Sequence, residues 1–153
     1  MYECVDHQSC ISDAMQQAEQ LCLDKNLRFT KLRRTIFIMI WESHMPAKAY
    51  DILDKLKQKG MSAKPPTVYR TLDFLLENGL VHKLDRLNAY IGCQQPLQPH
   101  QGYFLICTNC HEIKECFHDD LAQIILSTAH KHQFIPQHVA LEIEGECQAC
   151  QKR

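Results

Sequence analysis

The chain lacks any apolar run long enough to cross a bilayer. Its longest, Ile36-Phe37-Ile38-Met39-Ile40-Trp41, is six residues, where a spanning helix needs about 20. It has no internal repeat and no low-complexity tract. Nothing at the N-terminus resembles a secretory signal, because acidic residues and Gln interrupt every apolar stretch. There is no His-Glu-x-x-His, and no His-x-Glu with a Pro-Cys-x-x-Cys partner. No general base is therefore placed beside an open zinc position, which argues against a zinc hydrolase or deaminase. An excess of charge is missing too: 17 Lys+Arg face 18 Asp+Glu, for a net of -1. Taken as an average, that value argues against nucleic acid as a partner. These absences lead us to expect a soluble, cytoplasmic protein in a reducing compartment, with no membrane partner and no enzymatic activity.

What is present fits that frame. The 153 residues are 45% apolar and 23% charged, a globular composition that allows one ordinary domain or two small ones. Nine Cys and nine His in a reducing compartment point to metal rather than disulfides. The charge is also uneven. Residues 1–24 carry five acidic and no basic residues, residues 25–86 a net of +7, and residues 87–153 a net of -3. A DNA-facing surface on an anionic body has this pattern, as do lysines on solvated helix faces. Six of the nine Cys lie from Cys93 onward and seven of the nine His from His82 onward. The shift falls near Gln94-Gln95-Pro96-Leu97-Gln98-Pro99, which has the composition of a hinge. The expected divisions are residues 1–93 (with 1–10 as a mobile tail), a hinge over 94–102, and residues 103–153.

Ile11, Ala14, Met15, Ala18, Leu21 and Cys22 recur at helical spacing, with Ser9 or Ser12 as the expected N-cap. A second helix follows Thr30 and closes before Pro46. A third carries Ala49, Ile52, Leu53 and Leu56 up to Gly60. A fourth follows Lys64-Pro65-Pro66, buries Val68, Leu72, Leu75 and Leu76, and ends at Asn78-Gly79. Leu80–Leu84 and Ala89–Cys93 then form a hairpin. Helices followed by a hairpin describe a winged helix-turn-helix, with the fourth helix as its recognition helix. Beyond the hinge, a strand at Tyr103–Ile106, a return strand at Glu112–Phe117, a helix at Asp119–His132 and a strand at Val139–Ile143 make a small α+β unit. It is short enough to need metal, a partner subunit or both.

Three constellations carry chemistry. Cys107-x-x-Cys110 and Cys147-x-x-Cys150 each place two thiolates on one knuckle, and two knuckles complete a tetrahedral Cys4 shell suited to structural zinc. A redox pair would be expected at a helix start within a βαβ unit, which this sequence lacks. His82, Cys93, His100 and Glu115 form a looser set: two imidazoles, a thiolate and a carboxylate, softer than six-coordinate iron or manganese prefers. A lone Cys at a strand end is equally read as a small apolar residue. Finally, Lys64, Thr67, Tyr69, Arg70 and Thr71 are expected on the groove side of the fourth helix. There Arg pairs with guanine, an aromatic ring meets a thymine methyl, and Lys64 with the helix N-terminus meets phosphate. A solvated helix with a snorkelling Arg is the alternative reading.

The run from Ala63-Lys64-Pro65-Pro66-Thr67-Val68-Tyr69-Arg70 through Asn78-Gly79-Leu80-Val81-His82-Lys83, with the two Cys-x-x-Cys pairs, resembles the ferric uptake regulator (Fur) superfamily, and within it the zinc-sensing Zur branch. The resemblance covers the chain from about Ala14 onward. It implies a homodimeric, zinc-responsive repressor of zinc uptake genes that binds a pseudo-palindromic operator in double-stranded DNA. It also implies two Zn2+ per chain. One is structural on Cys107, Cys110, Cys147 and Cys150; the other is regulatory on His82, Cys93, His100 and Glu115. Tyr69 and Arg70 match the base-facing pair. The histidine-rich stretch usual before the first knuckle is reduced to His100-Gln101-Gly102, which speaks against sensing iron or peroxide. His138, without an acidic partner near His100, is read as a surface residue. Cys4, His7 and Cys10 precede the matched region and are read as tail. A sensor of iron, manganese, nickel or peroxide is the alternative within the same superfamily.

Overall fold

The computed structural model describes residues 6–98 and 102–152, which divide into two compact units at that gap. The first unit contains α1 (His7–Asp24), α2 (Lys31–Trp41), α3 (Ala49–Gln58), α4 (Pro65–Glu77), β1 (Val81–Leu84) and β2 (Ala89–Gly92). The second contains β3 (Gly102–Cys107), β4 (Ile113–Phe117), α5 (Asp119–Lys131), β5 (Glu142–Gly145) and the short α6 (Gln148–Gln151). Among the described residues no helix is long and apolar enough to cross a membrane.

In the first unit, four helices bury one continuous core. Ile36, Phe37, Met39 and Ile40 of α2 pack with Ile52 and Leu56 of α3 and with Val68, Leu72 and Leu75 of α4. Each such side chain is worth about 1.5–3 kcal/mol relative to exposure. Thr30 caps α2, its hydroxyl accepting from Arg33 N at 3.4 Å. Helix α1 starts earlier than its apolar spacing predicts. Its cap is Asp6, which accepts from Gln8 N at 3.1 Å, so neither Ser9 nor Ser12 serves. His7 and Cys10 therefore belong to the helix and not to a tail; Cys4 lies outside the described residues.

Helix α4 begins at two prolines, which need no N–H there, and its chain leaves through Gly79 at φ 68°. Strands β1 and β2 pair antiparallel with His82 opposite Ile91 and Val81 opposite Gly92. Ala47 bridges to Tyr90 by two backbone hydrogen bonds of 2.8 Å, tying the α2–α3 connection to the hairpin. Gly92 lies flat against the Trp41 indole: a Cβ there would fall 2.2 Å from the ring.

The second unit is a three-stranded sheet in the order β4-β3-β5, with β3–β4 antiparallel and β3–β5 parallel. The last strand is Glu142–Gly145, later than the alternating Val139–Ile143. Pairing with Phe104–Cys107 of β3 sets its limits, not its own side-chain pattern. Helix α5 has acidic residues in its first turn and His130 and Lys131 in its last, complementing its dipole. None of its residues is buried, and Ile124, Phe134 and Ile135 are exposed.

Candidate metal centre and nucleic-acid interface

The two Cys-x-x-Cys knuckles sit at the ends of paired strands, which is how residues far apart in sequence come together. Cys107 closes β3 and lies in register with Gly145 of β5, so the parallel pairing delivers Cys147 to the first knuckle. Thr108 N donates to Gly145 O at 2.9 Å, and Asn109 Nδ2 donates to Glu146 Oε1 at 3.0 Å. His111, at φ 61°, turns the first knuckle while its N–H bonds Cys107 O at 3.0 Å. The second knuckle is the start of α6, capped by Cys147.

All four sulfurs lie within 4.8 Å of one another, and Cys110 Sγ stands 3.7 Å from Cys147 Sγ. Two thiolates at about 2.3 Å from one zinc, at the tetrahedral angle, stand about 3.75 Å apart. The cluster therefore fits zinc in size as well as in donor type. Backbone N–H groups of Cys110, then Cys147, point at the Cys107 sulfur and hold its thiol near about 6. Cys147 N lies 3.4 Å from that sulfur. Sharing with the Cys147 thiol, followed by loss of solvent, pushes Cys150 up to about 12. Cys110 is also raised, the Cys107 thiol and loss of solvent outweighing the lowering by the Glu112 backbone. Four thiolates crowd one another unless a cation sits among them, and zinc supplies that charge when bound.

The second candidate set is divided between the units. His82 lies on β1 and Cys93 immediately after β2; both belong to the first unit, with ligand atoms within 4.8 Å of each other. Cys93 is buried and its N–H bonds Leu80 O at 3.0 Å. Glu115 is a buried carboxylate on β4 of the second unit, opposite Phe104. A Cβ on Gly102 would come 3.1 Å from its Oε1, so that glycine leaves the carboxylate room. His100 lies outside the described residues.

On α4, Lys64, Thr67, Tyr69 and Arg70 are exposed. Thr71 is not. It is buried, and its hydroxyl donates to Thr67 O at 3.1 Å within the helix. The buried stripe runs Val68, Thr71, Leu72, Leu75, which is the i, i+3, i+4, i+7 pattern and includes the threonine. The helix N-terminus also offers little to a phosphate, because Pro65 and Pro66 have no N–H and Thr67 N bonds Lys64 O at 3.0 Å. Lys64 is the exposed cationic side chain at that end. Arg33 of α2 lies over the Phe74 ring at 3.6 Å, fastening α4 to its neighbour. Burial, and the nearby Tyr69 and Asp73 of the same helix, push the Tyr90 phenol up.

Residues 24–144 match the model of the ferric uptake regulator family. The chain is 38% identical over 139 residues to the zinc uptake regulation protein of Escherichia coli K12, covering 90% of this chain and 81% of that one. It is 30% identical over 139 residues to the peroxide operon regulator of Bacillus subtilis, covering 91% and 94%. Among solved structures it superposes on a zinc uptake regulator complexed with zinc and DNA at a TM-score of 0.87, with 37% identity over 93% of this chain and 95% of that chain. The holo form of XcZur matches at 0.84, with 36% identity over 91% and 97%.

Proposed function

We propose, from the premise that this chain belongs to the ferric uptake regulator family, that it is a zinc-responsive DNA-binding repressor. Zinc uptake genes are its targets in this reading, and it binds a pseudo-palindromic operator as a dimer when regulatory zinc is present. The observation that carries the reading is the close approach of a thiol and an imidazole, Cys93 and His82, at the base of the hairpin. A thiolate in the sensing set favours zinc over the harder iron and manganese. The likeness to zinc uptake regulators, one of them complexed with zinc and DNA, supports the same choice.

Two zinc ions per chain are proposed. Cys107, Cys110, Cys147 and Cys150 hold one in a closed shell with no open position, so it is structural and binds no substrate. His82, Cys93, His100 and Glu115 hold the other. These ligands come from both units, so a bound ion selects among the relative positions the units can take. Operator DNA prefers one of those positions, and by linkage zinc and DNA then strengthen each other's binding. Lys64 meets a phosphate, while Thr67, Tyr69 and Arg70 meet base edges in the major groove; Thr71 stays inside as packing. The exposed apolar side chains of the second unit, Ile124 foremost, are assigned to the contact with a second copy. No membrane association is assigned, and the site of action is the cytoplasm.

The test is operator binding by wild type and Cys93→Ala, each with and without added Zn2+ over a structural site kept loaded. Zinc should tighten wild-type binding at least tenfold and leave Cys93→Ala unchanged. Equal affinity in all four cases would sink the gating. The likeness to a peroxide operon regulator favours a second reading, a sensor of peroxide, which the same assay separates when hydrogen peroxide is added: peroxide would then release the operator, and added zinc would leave the affinity unchanged.

A further inference from the structure

The face that α4 turns away from the core carries an acid between Tyr69 and Arg70. The buried stripe is Val68, Thr71, Leu72 and Leu75. Counted from Tyr69 at about 100° per residue, Asp73 lies about 40° round the helix and Arg70 about 100°. Asp73 therefore stands between Tyr69 and Arg70 on the surface, one turn further along, and all three are exposed. The Tyr90 phenol has both Tyr69 and Asp73 as neighbours, a second sign that those two share a side of α4. Any docking that presents Tyr69 and Arg70 to a groove presents Asp73 to it as well.

A carboxylate works against the charge around it. Residues 25–86 carry a net of +7, which draws a surface to phosphate, and an acid on the reading face is repelled by the same phosphates. Among the described residues no ion pair neutralises Asp73. What the group offers instead is selectivity. An ionised carboxylate only accepts hydrogen bonds. In the major groove cytosine N4 and adenine N6 donate, whereas guanine and thymine present only acceptors on their own edges. Asp73 is thus attracted to a base with an exocyclic amine and repelled by the other two. A wrong base leaves the charge unpaired among phosphates, which penalises the wrong sequence as well as rewarding the right one. The spacing along the helix fits neighbouring readers. Asp73 lies about 4.5 Å beyond Arg70 along the axis, and successive base pairs are about 3.4 Å apart.

We propose that Asp73 is a specificity-determining residue of α4. Its carboxylate accepts a hydrogen bond from the amine of cytosine or adenine in the base pair next to the one that Arg70 contacts, and it excludes guanine and thymine from that place on that strand. The inference rests on α4 being the helix that reads DNA, as proposed above. Glu77, exposed on the same face one turn beyond Asp73, is the last residue of the helix. Reading is done from the N-terminal part of such a helix, so Glu77 carries the same charge without the base contact and serves as the control.

The full-length, zinc-loaded protein is used to select sites from a pool of randomised duplexes. Wild type is compared with Arg70→Ala, Asp73→Asn, Asp73→Ala and Glu77→Gln, and each is then measured on single-base variants of the selected site and on scrambled DNA. The position relaxed by Arg70→Ala locates the Arg70 contact. At the position beside it, wild type should favour cytosine or adenine on one strand about tenfold or more over the reversed pair. Both Asp73 variants should lose that preference, keep the one that depends on Arg70, and bind scrambled DNA more tightly. Glu77→Gln should tighten all sequences alike and change no preference. If Asp73→Asn changes every affinity by one common factor, as Glu77→Gln does, Asp73 is a solvated surface charge and the proposal falls. If the Asp73 variants relax only the Arg70-dependent position, Asp73 orients Arg70 and reads no base, which also overturns it. Failure of the underlying reading looks different: wild type then selects no sequence, or Arg70→Ala relaxes no position.

Discussion

The sulfurs of Cys110 and Cys147 stand 3.7 Å apart, although 36 residues separate them in sequence. The parallel pairing of β3 with β5 and the bonds from Thr108 and Asn109 hold them there. With zinc at this cluster, as proposed, strand pairing and metal binding in the second unit should be one cooperative event. Replacing Cys110 or Cys147 by Ser should release the zinc and melt that unit, because structural zinc supplies about 10–16 kcal/mol of apparent binding free energy. Zinc content after gel filtration and loss of β-sheet signal in circular dichroism check this.

Zinc uptake by the same cluster should release protons, with a definite dependence on pH. Cys107, held near about 6, is already a thiolate at pH 7.5, whereas Cys150, near about 12, is still a thiol. Fewer than four protons per zinc should therefore leave at pH 7.5, and more at pH 5, where Cys107 is protonated as well. Protons compete with the metal, so affinity falls as pH falls. Calorimetric titration in two buffers of different ionisation enthalpy measures the count.

Arg70→Ala and Lys64→Ala should weaken DNA binding in different ways. Losing a side chain that pairs with a base edge costs about 1–3 kcal/mol on the cognate operator and relaxes discrimination at that position. Losing a phosphate contact weakens every sequence alike and lowers the salt slope by about one. Binding to operator and to scrambled DNA at several salt concentrations distinguishes them. Thr71→Val, by contrast, should leave DNA affinity within about twofold, since its side chain packs inward.

Gly92→Ala should destabilise the first unit. The added methyl would sit 2.2 Å from the Trp41 indole, and overpacking of this kind costs about 1–3 kcal/mol. A lower midpoint in urea, followed by Trp41 emission, is the expected result. Zinc affinity should fall with it, because Cys93 is the next residue.

Ile124→Glu should weaken self-association. The side chain is 60% exposed in one chain, and a carboxylate there loses the area that a second copy would cover. Light scattering across a dilution series should show monomer at concentrations where wild type is dimeric, while zinc at the Cys4 centre is retained.

Much of the fold is legible from residue order, and what is not has a separate physical reason at each place. Pro65-Pro66 and Asn78-Gly79 bracket α4 because they act through backbone geometry alone. The Cys-x-x-Cys pairs are legible because a knuckle is local. Thr71 is expected on the groove side because it is polar; the 3.6-residue turn brings it inside with Val68 and Leu75. The cap at Asp6 was missed because His7 and Gln8 add no apolar residue to the pattern that begins at Ile11. Strand β5 was displaced because its partner, not its own alternation, sets its ends. The 2.9 Å approach of His7 to His44 has no local signal, since they are 37 positions apart in sequence.

The topology of the second sheet bears on the order in which the molecule assembles. The hairpin of the first unit joins strands that are neighbours in sequence, a closure of microseconds. Strand β3 acquires its second neighbour only when residues 142–145 return from beyond α5. Long-range parallel closure is slow, since loop entropy is lost before any contact repays it. A freshly made chain should therefore present a finished DNA-reading unit for some time before the cysteine centre exists.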